Sequence, residues 1–487
     1  MCRITHHTDL PKRFRGFNRR PETCTGMERV DVAIVGGGPA GTSAAHAAAS
    51  AGASVVVLEK GVPRADRQGL GPDSTDAAGI LDYWVDIMGI HPDEFPDGVL
   101  LDHLDRAEFI GPTESVTLRS TGIDSSYDEF GYTFHRAKFD DWMRSRAEEA
   151  GAEYRLKASV RDVETDLDAA GSDPRHVVSL ARGDNIGADF LVLADGPQRT
   201  VTNKVLDEYL PFPITDRLAA PKVNHIAYQE HREFPPELFD EVDGAIKFWW
   251  GYMPGHTAYP WIFPNDNNVC RVGLTMPIGM DIDEVEDRDD YKLLRPEDER
   301  IPQGREYIRR LLEQEYGDEY DIDEDFPLVE DRGKTKGTET YSISSTRPID
   351  SPVQAGIAVT GGAMGSTSAF HEGGDHVAVR TGAIAGELAA AGDLSEYNER
   401  WKDAIGDEIL RNVAMAEIVH DYTPKQWDKT FKAARKLLAD DEGYKAFTAS
   451  KFTAGFSAAK LATQYQKTKL KYRNGKYVQL TEDEYEL

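Results

Sequence analysis

Residues 30–60 read VDVAIVGGGPAGTSAAHAAASAGASVVVLEK, and the order of the parts decides the architecture. An apolar strand, Val30 to Val35, runs into Gly36-x-Gly38-x-x-Gly41. An alanine-rich helix follows, then a second strand, Ser54 to Leu58, that closes at Glu59. Gly36 allows the tight turn, Gly38 lets backbone approach a pyrophosphate, and Gly41 lets helix and strand pack closely. The helix N-terminus offers free amides and partial positive charge to phosphates. Glu59 stands 18 residues past Gly41, where an acid can bind ribose hydroxyls. A lone glycine motif is weak, but strand, helix, strand and acid in register predict a Rossmann-like α/β domain that holds an adenine dinucleotide. Pro39, Ala40 and Lys60 are expected beside these residues as cofactor contacts.

The chain returns to similar chemistry far downstream. Residues 356–382, GIAVTGGAMGSTSAFHEGGDHVAVRTG, read as a short strand, a glycine loop and a helix starting near Gly373. Its amides suit the other end of an extended cofactor. No second complete motif with a trailing acid appears, so one dinucleotide is expected, and FAD spans such a distance.

Composition bounds the function. The 487 residues allow two or three domains and a substantial core. A net charge of −29 repels phosphates and argues against nucleic-acid binding. It resembles the acidic surface of proteins from a high-salt cytoplasm, such as that of a halophilic archaeon. Cys2, Cys24 and Cys270 form no C-x-x-C pair, so neither a zinc site nor a four-cysteine cluster is expected, and no metal. No apolar run reaches the roughly 18 residues of a spanning helix. Residues 1–26, with six Lys/Arg and two Asp/Glu, read as a disordered or non-native extension. Residues 424–476 carry 13 Lys/Arg and four acids, interspersed with Trp427, Phe431, Leu437, Leu438, Phe447, Phe452 and Phe456. Helices packed on the body with a solvated basic face account for this. An amphipathic surface drawn to anionic lipid is compatible with it.

A third stretch, AYPWIFPNDN at 258–267, places Tyr259, Trp261 and Phe263 two apart, on one face of an extended strand. Pro260 and Pro264 predict an edge, a bulge or a strand end. The rings are either core or the lining of a cavity.

The Y-x-W-x-F-P pattern resembles the signature of geranylgeranyl reductases. These are FAD enzymes of the para-hydroxybenzoate-hydroxylase-like superfamily that saturate isoprenoid double bonds. Their flavin segment, G-D-A-A-G then P-x-H-G-G-G-I-x-x-A-x-x-S-G, places Gly361, Ala363, Gly365, His371, Gly373, Gly374, Ala378 and Gly382 on matching positions. HRAKFDDWMRSRAEEAGAE resembles another family segment through Arg136, Phe139 and Asp140, and Asp195-Gly196 resembles its A-D-G turn. The likeness implies FAD contacts from Arg136, Asp195, Gly361, Gly365, Gly373 and Gly374. Gly362 departs from the usual aspartate, Ala369 from proline, Glu372 from glycine and Asp375 from an apolar residue. RQGLGPDST lacks the cysteine of many archaeal members.

The resemblance implies a GR2-type FAD domain over 27–200 and 346–400, an inserted antiparallel-sheet substrate domain over 201–345, and a basic helical region over 401–487. Phe248, Trp249, Trp250, Tyr252, Tyr259, Trp261 and Phe263 would wall a site for a long apolar or quinonoid substrate. Tyr259, Trp261, Phe263 and Trp250 are the expected substrate contacts. His371 and Tyr259 are candidate proton donors, although His371 can instead bond the loop backbone, and His376 and Arg380 read as structural. The implied activity is saturation of geranylgeranyl chains of membrane lipids or prenylquinones, by a cytoplasmic enzyme peripheral on the inner membrane face. The electron donor stays open between NAD(P)H, ferredoxin and an electron-transfer flavoprotein. Competing readings are an electron-transfer-flavoprotein:quinone oxidoreductase type, a flavin monooxygenase or halogenase, and a flavin-binding scaffold.

Overall fold

The computed structural model describes residues 27–61, 79–439 and 456–487. The extension 1–26, the segment 67–75 without its cysteine, and Phe447 and Phe452 lie outside the described residues. The first sheet has a parallel core in the order Glu153–Arg155, Val55–Leu58, Glu28–Val35, Ile186–Leu193, Ile357–Val359. His176–Leu180 and Val160–Thr165 extend it antiparallel from the start of Ile186–Leu193. The inner strand Val55–Leu58 reads as an unbroken apolar run because both of its faces are covered. Strand Ile357–Val359 and helix Asp375–Ala390 return late in the chain to complete this layer.

Small residues let that late helix lie close to helix Pro39–Ser50. A Cβ on Gly382 would come 2.0 Å from the Ala40 carbonyl oxygen, and one on Gly386 would come 2.2 Å from that of Ala44. The two ends of the predicted cofactor frame are thus fixed to each other by backbone contact.

A second, separate sheet forms a cover over the inward-facing aromatic residues. Its seven strands run Thr338–Ser344, Asn224–Glu233, Val269–Pro277, Tyr259–Pro264, Ala245–Trp249, Arg106–Ile110, Ser115–Leu118. All neighbours are antiparallel except Ala245–Trp249 and Arg106–Ile110. Two strands therefore come from residues 106–118, within the stretch expected to belong to the FAD domain.

The aromatic strand, Tyr259–Pro264, is fourth of the seven; it is not an edge. Its ladder with Ala245–Trp249 contains only Lys247–Ile262 and Phe248–Trp261. Pro260 and Pro264 flank that short ladder, which is how an interior strand accommodates both.

Alternation along this sheet sorts the rings. Trp249 and Tyr252 pack on the outer face with Tyr307, Ile308, Leu311 and Leu312 of the amphipathic helix Gly304–Tyr316. Phe248, Trp250, Tyr259, Trp261 and Phe263 face inward. Of the seven rings expected in the aromatic wall, five line one cavity, and Trp249 and Tyr252 belong to the opposite face.

Helices Tyr397–Val419, Pro424–Ala439 and Phe456–Tyr472 close the far side. Trp427 and Phe431 are buried, with Trp427 against Trp250 at 4.6 Å. The basic residues are partly paired: Lys425 with Asp290, and Lys432 and Arg435 with Glu114. Among the described residues no helix is long and apolar enough to cross a membrane.

Candidate active site

The glycine turn is built by exclusion. Gly36 has φ +101°, and a Cβ there would meet the Ala194 carbonyl oxygen at 2.3 Å. A Cβ on Gly41 would lie 1.9 Å from the Gly36 oxygen. Gly38 differs, because nothing lies within 4 Å of the position its Cβ would take. It heads helix Pro39–Ser50 with no side chain capping the free amides. Open space before an uncapped helix end suits a phosphate. Glu59 accepts from the Gly37 and Gly61 amides at 2.7 and 2.6 Å, holding the turn against the second strand.

These residues border a cleft of about 460 Å³. Gly38, Pro39, Ala40, Glu59, Lys60, Arg136, Asp195 and Gly374 line it. Gly36 and Gly41 stand behind it as packing positions, and Gly361 (φ +55°) and Gly365 (φ +81°) shape the loop without lining it. The uncapped helix end and the elongated donor set fit an adenine dinucleotide.

Two cleft residues have internal partners. Arg136 bonds Asp140 at 2.8 Å and lies 3.2 Å from Asp375. The Asp195 carboxylate accepts from the amides of Val201 and Thr202 and from the Thr202 hydroxyl, so it anchors the start of helix Thr202–Asp207.

Sequence reading missed Arg199, which is 1% exposed. Its guanidinium donates to the carbonyls of Ala363, Gly362 and Pro197, to Asn224 Oδ1 and to Ser344 Oγ. It ties the loop carrying Gly362 to the Asp-Gly turn and to the cover sheet. Burial lowers its pKa to about 10. Nothing in the pattern around residue 199 signals this role, which arises from elements distant in sequence.

A second cavity, about 280 Å³, lies under the cover sheet. Trp250, Tyr259, Trp261 and Phe263 line it with Phe248 and Phe370, as do Arg411 and Met415 of the C-terminal helices and Gly373 of the loop. The Trp261 indole lies across Gly273 of the neighbouring strand, where a Cβ would come within 2.4 Å of the ring. Tyr341, Ile343, Glu372, Gly374 and Asp375 border both spaces. The apolar cavity and the polar cleft therefore meet at one wall.

The two predicted proton donors have structural engagements. The Tyr259 hydroxyl donates to the His371 carbonyl at 2.5 Å, and burial raises its pKa well above that of an ordinary phenol. His371 Nδ1 accepts from the Gly373 amide at 3.1 Å, while Nε2 lies 3.5 Å from Glu408. The ring stacks on Trp84 at 4.7 Å, as does His376 at 4.1 Å. Burial works against ionisation of Glu408, yet the His371 contact and the Arg411 guanidinium outweigh it and hold its carboxyl well below the usual range. Arg380 does not line either space.

Glu372 is the residue whose chemistry sequence reading passed over, although its replacement of a glycine marked it. It keeps a left-handed backbone, φ +59°. Its carboxylate accepts from Thr275 Oγ1 at 2.5 Å and lies 2.5 Å from His225 Nδ1.

Residues 31–180 match the FAD dependent oxidoreductase family. The chain is 26% identical over 405 residues to a digeranylgeranylglycerophospholipid reductase of Methanoculleus marisnigri, covering 80% of this chain and 85% of that one. It is 27% identical over 407 residues to digeranylgeranylglycerophospholipid reductase 1 of Methanopyrus kandleri, covering 79% and 89%. A geranylgeranyl bacteriochlorophyll reductase-like structure from Thermoplasma acidophilum superposes with a TM-score of 0.63 at 18% identity, over 92% of this chain and 100% of that one, and shares its fold. The glycine turn, the cleft and these likenesses make the chain an FAD-dependent oxidoreductase that is similar to the geranylgeranyl-type reductases.

Proposed function

We propose that the protein saturates C=C bonds of isoprenoid chains carried by membrane lipids or prenylquinones. The observation that carries this reading is the shared wall: an aromatic cavity suited to an apolar chain meets the dinucleotide cleft at Glu372, Gly374 and Asp375. Each methylene that leaves water for such a cavity contributes about 0.8 kcal/mol. Bound FAD supplies the hydride. Gly38, Pro39, Ala40 and Gly374 would hold its phosphates and ring system, Glu59 would bind the ribose, and Arg136 and Asp195 stabilise the surrounding loops. Tyr259, Trp261, Phe263 and Trp250 orient the chain and exclude water, with His371 holding the loop in shape.

The basic face of residues 424–436 supports contact with anionic lipid at the inner face of the membrane. Trp427 and Phe431 are turned inward, so that contact rests on charge rather than inserted side chains. An electron-donor protein or NAD(P)H reloads the flavin.

The test is anaerobic. Purified protein in high salt should carry a flavin spectrum, and after reduction it should be reoxidised by a geranylgeranyl lipid that gains two hydrogens per bond. Rapid reoxidation by a quinone analogue with every alkene intact would instead favour a quinone-directed dehydrogenase.

A further inference from the structure

Alkene saturation needs a proton as well as a hydride, and the apolar cavity holds few groups able to give one. Tyr259 spends its hydroxyl proton on the His371 carbonyl. Glu372 borders both the cleft and the cavity. Its carboxylate is the first member of a file of ionisable groups that leads outward. His225 Nδ1 lies 2.5 Å from Glu372 Oε1, and His225 Nε2 lies 3.3 Å from His256 Nε2. His225 is buried; His256 is half-buried and stacks, at 4.8 Å between ring centres, on the exposed His420, which bonds Asp421 at 2.8 Å. We propose that Glu372 is the proton donor to the alkene, and that His225 and His256 relay protons to it from the surface. This rests on the reading of the protein as an alkene reductase.

The backbone supports the assignment. A non-glycine residue in the left-handed region costs about 1–2 kcal/mol, and a turn with only a structural task is served by glycine. Such outliers cluster where function demands a side chain. Burial and the neighbouring His225 and His420 lower the His256 pKa to about 4, so it sits neutral, with one ring nitrogen to give and one to accept. Thr275 and Tyr259 are further polar neighbours of Glu372.

The balance is simple. The C=C π bond and the Glu372 O–H bond break, and two C–H bonds form, one from the hydride and one from the carboxyl proton. The hydride, with its two electrons, would come from bound reduced FAD, and the external electron donor would restore those two electrons and the proton. Glu372 regains its proton from His225 Nδ1, His225 Nε2 takes one from His256, and His256 takes one from solvent.

Full-length Glu372→Gln, Glu372→Gly and His256→Ala, each with FAD, test this. The glycine variant suits the left-handed turn and guards against misfolding. Both Glu372 variants should keep the flavin spectrum and slow alkene saturation by roughly 10²-fold or more. His256→Ala should slow it by about 10-fold, with recovery on adding imidazole and a shifted pH profile. In ¹⁵N-histidine NMR spectra, His225 signals should move in Glu372→Gln and in His256→Ala. Wild-type rates in Glu372→Gly, or His225 signals unmoved in both variants, would overturn the relay. If the wild type saturates no alkene, the functional reading fails, and the relay then stands or falls on the histidine spectra alone.

Discussion

The cleft and the aromatic cavity meet at one wall but are made in opposite ways. The cleft is a backbone device: Gly36, Gly38 and Gly41 position amides at an uncapped helix end, and a single acid follows 18 residues on. The cavity is a side-chain device, gathered from strands around 80, 107, 248, 261 and 342, the loop at 370, and helices near 411 and 465. A backbone device fails when one atom is added. A side-chain device fails by degrees, ring by ring.

The largest effect should therefore come from the glycines. Gly36→Ala sets a Cβ 2.3 Å from a carbonyl oxygen at a φ that L residues rarely adopt. It should abolish flavin retention or soluble expression, read as loss of the visible flavin bands. A holoenzyme with normal FAD content would show that the turn is not the phosphate seat.

Acid should weaken both regions next. Burial first of all pushes His231 and His376 down to about 3, and His256 to about 4. His231 and His256 belong to the cover-sheet region, and His376 packs beside the cavity. The unfolded chain takes up these protons near pH 6.5 while the folded one does not, so stability is full above 6.5 and declines as pH falls toward 3. The limiting slope is about 1.4 kcal/mol per pH unit for each histidine. His176 of the first sheet is likewise pushed down to about 3 by burial, so tryptophan fluorescence and flavin release should both report loosening as pH falls from 6 to 4. Full retention of both signals at pH 4 would contradict this.

The smallest effect should be Glu59→Gln. It keeps acceptance from one of the Gly37 and Gly61 amides but removes the charge near the ribose, and FAD affinity should fall by about 10-fold, or roughly 1.4 kcal/mol. An unchanged dissociation constant would leave Glu59 a purely local brace.

This contrast also explains what could be read from sequence. The glycine turn, the acid and the return of the chain near 361 were legible because each depends on local backbone chemistry. The face shared by Tyr259, Trp261 and Phe263 was legible from a period of two. Its central place was not, because prolines normally mark edges, and only the two-pair ladder with residues 247 and 248 reconciles them. Trp249 and Tyr252 were misassigned to the wall, since composition alone cannot distinguish the faces of a sheet. The Arg199–Ser344 and Glu372–His225 contacts join segments 145 or more residues apart in the chain, and no local pattern encodes such a meeting.

The measurement that tests the division most directly is a split of two rates in Trp261→Ala, with Trp261→Phe as the folded control. Dithionite reduction of the bound flavin and the FAD dissociation constant should match wild type, while reoxidation by a geranylgeranyl lipid falls by about 100-fold. Equal loss of flavin binding and lipid turnover, or full lipid turnover without the indole, would contradict the assignment of cleft to cofactor and cavity to chain.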